Sequence, residues 1–321
     1  MSHQCARSMC SFMTHIYGNK YYQLSRCKII RGASRIGGFY IRRGVHRLRG
    51  NAVTHQGVKD YYDCLGRREW DRLRSTAYDG IEYTITMHYL EKYMPKKGLV
   101  LDAGSGPGRY SMELARLGYE VVLLDLSDVQ LGIAREEVAK LPEDVRSRIK
   151  GFVQGDITDL DFPTGNFDAV ICLGGTLSHL SEREDRERAA SELARVCRER
   201  APVFVSVWSY LGVLRKVLAE RPQDIHLLPT FMNERLNPQG TGGTECYFFT
   251  AEEAVDLLAR KGIEIVEYVG AQGVSAQMRE ATDRCARDPA SWAVWSDVLL
   301  RTCNHPSVVG ASDHILLVGF A

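Results

Sequence analysis

The sequence predicts an α/β domain on a doubly wound, largely parallel sheet, and three observations carry that prediction. First, Val100-Leu101-Asp102-Ala103 reads as a buried strand ending on a carboxylate, then turns through Gly104, Gly106 and Gly108 into a helix. Second, the apolar runs that follow alternate with amphipathic stretches at the roughly 25- to 30-residue repeat of successive βα units. Third, no run approaches the ~18–20 consecutive apolar residues of a bilayer span, so these runs are core strands and helices. The 321 residues, 45% of them hydrophobic, supply core for one large domain or two small ones.

The chain begins with a basic segment. Residues 1–59 hold eleven Lys and Arg and no Asp or Glu, which leaves 30 basic and 40 acidic groups to the remainder. An Arg-rich, acid-free start fits a mitochondrial transit peptide if the source is eukaryotic, or a tail for nucleic acid or an anionic surface. Residues 31–50 show no sustained apolar period, which favours a disordered arm over 1–56 or a translation start nearer the body, at Met13 or Val53. From Gly57 the domain runs to Ala321. Gly57–Leu73 and Gly80–Met94 read as two Tyr- and Trp-rich helices, so that 57–95 form a helical cover before the first strand. An aromatic stripe at this spacing is core packing first, with Glu82 and Tyr83 as candidates for ligand contact.

The glycine loop after the first strand is a ligand cradle, because glycines let the backbone approach a ligand and the next helix offers free N–H groups to an anion. Dinucleotide binding wants G-x-G-x-x-G, but Arg109 stands where the third glycine belongs. A short helix closes at Gly118, and the strand Glu120–Leu124 ends on Asp125. Phe152–Ile157 and Asn166–Gly175 are the next two strand ends, Pro202–Trp208 a fifth strand, Gly262–Val269 a sixth and His314–Phe320 a seventh. Ser127 with Gln130, Ser181 with Glu184 and Thr250 with Glu253 match the capping box at helix starts. The charged run 181–188 has mixed signs and is a solvated helix face. Asp168 caps its own strand.

The run D-x-G-x-G-x-G at Asp102–Gly108 resembles motif I of the class I S-adenosylmethionine-dependent methyltransferases, and the resemblance extends over about 98–204 with a plausible continuation to 321. It implies S-adenosyl-L-methionine as cofactor, a seven-stranded sheet with an antiparallel last strand from Ile315 to Val318, and the small-molecule branch of the family. Asp102, Gly104, Gly106 and Gly108 then form the cradle, Asp125 accepts the ribose hydroxyls with Leu126 beside it, and Asp156 and Ile157 meet the adenine. Cys172 and Leu173 end the fourth strand, beside the transferable methyl. The chain departs from the family at Cys197-Arg198-Glu199-Arg200-Ala201, where members carry a Lys-Pro-Gly-Gly turn.

Two segments leave the carboxyl edge of the sheet without strand pattern, 208–249 and 270–313, and are candidate acceptor-pocket walls. The first carries Trp208, Tyr210, His226, Phe231, Asn233 and Tyr247; the second Gln272, Trp292 and Trp295. Methyl transfer asks mainly for positioning, and a base helps only if the acceptor has a proton to lose. His179, just after the fourth strand, is the candidate catalytic base, with an ordinary pKa near ~6.5; its alternatives are capping a helix or holding the cofactor carboxylate. No D/N-P-P-Y/F and no Pro-Cys follows the fourth strand, which argues against amino-group and covalent cytosine methylation of nucleic acid. Nine cysteines without C-x-x-C or metal-ligand spacing read as reduced thiols of a cytoplasmic protein with no metal site. The expected function is methylation of a small molecule at O or C rather than N. The alternatives are an RNA or protein methyltransferase docking through the basic arm and a non-catalytic adenosylmethionine-binding module. Nothing in the sequence bears on the oligomeric state.

Overall fold

The structure, a computed structural model, describes residues 52–237 and 244–321, with side chains from 55 onward; the arm as far as residue 51 lies outside the described residues. Seven strands form one sheet: β1 (Leu99–Ala103), β2 (Glu120–Asp125), β3 (Ile149–Gln154), β4 (Ala169–Cys172), β5 (Pro202–Trp208), β6 (Glu264–Gly270) and β7 (His314–Phe320), in the order β3-β2-β1-β4-β5-β7-β6. The first five pair in parallel. β7 runs antiparallel between β5 and β6.

Helices cover both faces, so the central strands read as continuous apolar runs rather than alternating ones. Successive residues still feed opposite cores. Leu101, Val170 and Val205 pack into one hydrophobic layer, while Val100, Ile171 and Phe204 pack into the other. The order of strands reverses between β1 and β4, and the carboxyl ends of β1, β2 and β4 open a crevice at that switch point, where open α/β sheets bind ligands.

The cover starts earlier than the sequence predicts. One helix, Ala52–Leu65, runs through the boundary expected at residue 57, and Gly66 (φ 53°) breaks it from Arg67–Asp71. The second cover helix is Ala77–Tyr93, capped by Thr76. The capping box at Thr250 with Glu253 forms reciprocally. Ser127 caps its helix, but Gln130 turns away to donate to the Tyr62 and Gly66 carbonyls. The expected cap at Ser181 is corrected: the helix is Arg183–Val196 with Glu182 before it, and Ser181 donates instead to Glu245. At 197–201 the chain turns without glycine, Arg200 taking φ 60° so that its N–H reaches the Ala321 carbonyl at 2.6 Å.

Candidate functional site

Two cavities lie over the carboxyl edge of the sheet. The first, about 1020 Å³, is built from the loops after β1 to β4 and roofed by the cover helices. Gly104 takes φ 85° and lies so close to Thr176 that a Cβ would meet it at 2.3 Å. This locks the loop after β1 against the loop after β4. Asp125 organises the loop from the other side: one carboxylate oxygen accepts from Gly106 N at 2.7 Å, the other from Ser127 N at 2.8 Å. Burial pushes its carboxyl up to about 6, helped by Glu69 and Asp63 nearby. Burial likewise pushes Asp102 up to about 7, although Ser111 donates to it at 2.6 Å.

Asp102, Gly104, Gly106, Asp125, Leu126, Asp156, Ile157 and Leu173 all line this first cavity, as does His179. Two expected ligand residues do not. Cys172 is fully buried in the core layer with Leu101 and Val170, its thiol pushed up to about 12 by burial, because the strand's alternation aims it away from the crevice. Gly108 caps the next helix at φ 79°, and a Cβ there would strike Leu123 at 2.6 Å. Its absent side chain serves helix-to-strand packing. Asp168 stands just before β4 and away from the cavity, but the expected cap of its own strand is corrected: its carboxylate accepts from Leu99 N, at the start of the neighbouring β1, at 2.8 Å.

His179 differs in character from a solvent-facing base. It is 6% exposed, and burial pulls its pKa down to about 4. Its Nε2 meets the Tyr62 hydroxyl at 2.8 Å and its Nδ1 meets Cys246 Sγ at 3.2 Å. Cys246 in turn donates to the Thr244 carbonyl at 3.3 Å, so the consistent chain has Tyr62 donating to Nε2 and Nδ1–H donating to sulfur. The expected pKa near ~6.5 is thereby corrected: the ring is a neutral, committed joint between the cover helix and the loop after β4.

The cover helix supplies residues that the sequence reading placed outside the site. His55, Val58, Lys59 and Tyr62 line the cavity at i, i+3, i+4 and i+7, one face of a helix. That spacing was legible; only the early boundary at 57 hid His55. Its Nδ1 pairs closely with Asp156, and its Nε2 lies 3.4 Å from Asp185. Burial would raise Asp156, but His55 and Thr158 outweigh it and hold the carboxyl below its ordinary value. Arg109, the residue that breaks the dinucleotide pattern, lies 4.0 Å over the Trp70 ring and donates to the Trp70 carbonyl, tying the cover to the glycine loop.

The second cavity, about 1200 Å³, adjoins the first across Arg72 and Leu73, which line both. Its walls come from the cover (Tyr78, Asp79, Glu82), from 208–237 and Phe248, and from Gln272, Arg279, Asp313 and His314. Of the aromatic and polar wall candidates, Trp208, Phe231 and Gln272 reach it, and so does Glu82. Tyr83 stacks on Tyr110 at 5.5 Å, Trp295 donates to Ser275, and Tyr247 carries the Arg186 guanidinium at 3.8 Å. Tyr210, His226, Asn233 and Trp292 do not line it either. Trp208 stands between the two cavities, its ring 5.6 Å from His179 and 5.9 Å from His314. No group of three or more His, Cys, Asp or Glu suited to a metal occurs among the described residues, and no helix there is long and apolar enough to cross a membrane.

A family model described as a methyltransferase domain matches residues 100–200. An uncharacterized methyltransferase of Schizosaccharomyces pombe is 34% identical over 110 residues, 34% of this chain and 71% of that protein. YqeM of Bacillus subtilis, also named a methyltransferase, is 28% identical over 177 residues, 54% of this chain and 64% of that protein. The glycine/sarcosine N-methyltransferase of Halorhodospira halochloris is 32% identical over 116 residues, 36% of this chain and 41% of that protein. The chain thus spans less than two thirds of the length of these last two relatives. Among solved structures, a SAM-dependent methyltransferase of Methanosarcina mazei superposes with a TM-score of 0.51 at 19% identity, over 72% of this chain and 96% of that one. The 1,6-didemethyltoxoflavin-N1-methyltransferase of Burkholderia thailandensis, bound to 1,6-didemethyltoxoflavin and S-adenosylhomocysteine, gives 0.50 at 13% identity, over 86% and 92%. At such identities these two structures show a shared fold.

Proposed function

Because the chain belongs to the class I S-adenosylmethionine-dependent methyltransferases, we propose that the first cavity is a cofactor cradle, the second an acceptor pocket, and the activity methylation of a small molecule. The donor set of the first cavity fits S-adenosylmethionine. Asp125 is held by two backbone N–H groups and keeps further lone pairs for ribose hydroxyls. Gly106 has open space where a Cβ would stand. Asp156 and Ile157 suit the adenine, and the 104–106 backbone suits the amino-acid end. When bound, that cofactor supplies an electrophilic methyl group.

This chain's own residues bind, orient and exclude water. The helix 52–65 roofs the cradle through Val58, Lys59 and Tyr62, Arg72 and Leu73 line both cavities, and Trp208 lines the second. Holding acceptor and donor in line removes the entropic cost of their encounter, which is the larger part of what such a reaction asks of a protein. A neutral His179 with both nitrogens engaged is a positioning group in this scheme, not a base. The single observation that carries the reading is the adjacency of the two cavities across Arg72 and Leu73, with the Asp125 loop on one side only.

Enclosure by aliphatic and aromatic walls favours a small molecule over an RNA or protein chain. The choice of acceptor atom stays open to nitrogen as well as oxygen and carbon, since the Halorhodospira halochloris relative is named for nitrogen methylation. The test is mass spectrometry of a cell extract incubated with the protein and methyl-labelled S-adenosylmethionine. A labelled metabolite below peptide size supports the reading; label confined to RNA or protein, or no calorimetric binding of S-adenosylhomocysteine, overturns it.

A further inference from the structure

The second cavity is neutral by pairing. Arg72 meets Glu82 at 3.2 Å, Arg279 meets Asp79 at 2.8 Å, Lys216 meets Asp313 at 3.6 Å, and Arg221 closes on Asp224. The rest of the wall is aliphatic and aromatic, with Leu73, Val213, Val217, Leu228, Phe231 and Phe248. A carboxylate or phosphate entering here meets only cations that already hold a carboxylate, and its desolvation goes uncompensated.

Two acceptor atoms stand apart from this pattern. Glu82 is 6% exposed, and its contacts from Arg72, Gln272 and His314 all converge on Oε2. Its Oε1 has no partner among the described residues. His314 brings Nδ1 to 2.9 Å from the same Oε2, off the line of the N–H, so this is a close polar contact rather than a formed hydrogen bond. Such a contact tightens readily when a ligand settles beside it. With the proton on Nδ1 facing the carboxylate, Nε2 becomes an acceptor, and it too lacks a partner among the described residues. Burial alone would raise the Glu82 carboxyl, but His314 and Arg72 outweigh it and hold it at about 2, so the group is charged at neutral pH. Gln272 fixes the geometry from behind: its Oε1 accepts from Ser312 and from His314 N, both at 2.9 Å.

We propose that Glu82 and His314 are the polar anchor of the acceptor pocket, selecting an apolar molecule whose polar end is a hydrogen-bond donor, a hydroxyl or an amine, and rejecting an acid. This rests on the reading of the second cavity as the acceptor pocket. Oε1 of Glu82 and Nε2 of His314 receive the donor hydrogens, while the apolar body lies along Val213, Val217, Phe231 and Phe248.

The test is calorimetry of the full chain, saturated with S-adenosylhomocysteine, against four matched probes: para-propylphenol, para-propylbenzylamine, propylbenzene and para-propylbenzoate. The phenol or the amine, or both, should bind about tenfold tighter than propylbenzene, with the benzoate weakest; which of the two leads identifies the donor. Glu82→Gln and His314→Asn should each erase the preference for the donor probes while S-adenosylhomocysteine affinity stays within about threefold of the parent. The ranking on the unmodified chain tests the proposal even if a variant does not fold. Benzoate binding as tightly as the phenol, a donor preference that survives both substitutions, or no probe binding at millimolar concentration overturns it. Failure of the unmodified chain to bind S-adenosylhomocysteine instead overturns the methyltransferase reading, a separate outcome.

Discussion

The two cavities share a wall and are built by opposite means. The first is made of consecutive residues after parallel strands, with a glycine turn whose N–H groups are held by the Leu124 carbonyl and by one carboxylate, Asp125, which cross-links two loops. The second is made of side chains from the cover, β5 and its following helices, the segment after β6 and the start of β7, met through ion pairs such as Arg279–Asp79 and Arg72–Glu82. A cradle of backbone tolerates little change in sequence, because the loop conformation itself is the binding surface. A pocket of side chains changes its ligand with one substitution, which suits a fold whose cofactor is constant and whose acceptor is not.

The sharpest separation of the two regions is Asp125→Ala. Hydrogen bonds to a charged group contribute roughly 1.5–3 kcal/mol each, so S-adenosylhomocysteine affinity should fall by a hundredfold or more in calorimetry. Loss of less than tenfold would break the comparison, since the carboxylate would then be a structural brace alone. His179→Ala probes the joint between the cover helix and the loop after β4. Removing a buried ring packed among Tyr62, Trp208 and Cys246 should destabilise the fold by about 2–3 kcal/mol in denaturant titration. A variant of parental stability with a collapsed rate would restore the histidine as a base.

Smaller, and opposite in sign between the cavities, is the response to pH. Asp102 and Asp125 have folded pKa values raised above 3.8, to about 7 and about 6, so the folded cradle binds protons that the unfolded chain releases. Their contribution is therefore lost as pH rises from about 4 to 7. Glu82 is lowered from 4.5 to about 2, so its contribution is present above 4.5 and lost as pH falls through 2. Melting curves of the ligand-free protein should show Asp102→Asn flattening the neutral limb and Glu82→Gln flattening the acid limb. Interchanged effects would contradict the assignment. The smallest effect separates two capping signals: Thr250→Ala should cost about 1 kcal/mol, and Ser181→Ala, outside its helix, under about 0.5 kcal/mol.

Much of the first cavity was legible because strand, turn and acid are neighbours in the chain. β5 and β7 were bounded to the residue, and Asp102, Gly104, Gly106, Asp125, Leu126, Asp156, Ile157 and Leu173 came out on one cavity wall. Cys172 and Gly108 missed it for a reason local to each: strand alternation turned the thiol into the core, and helix packing claimed the glycine. Glu82 was visible as a candidate, but its partner His314 lies 232 positions later and read only as the start of a strand.

By itself, the sequence determined the succession of strands, the glycine turn and the carboxylates at the ends of β1 and β2, because these depend on hydrophobic period, on turn chemistry and on residues within one βα unit. Only the tertiary structure decided which nitrogen of which histidine is open, that His179 on the first cavity is buried with both nitrogens engaged while His314 lines the second, and that Arg72 stands on the border of both sites. Burial and pairing are set by what the fold brings from elsewhere, and no local pattern encodes a neighbour two hundred residues away.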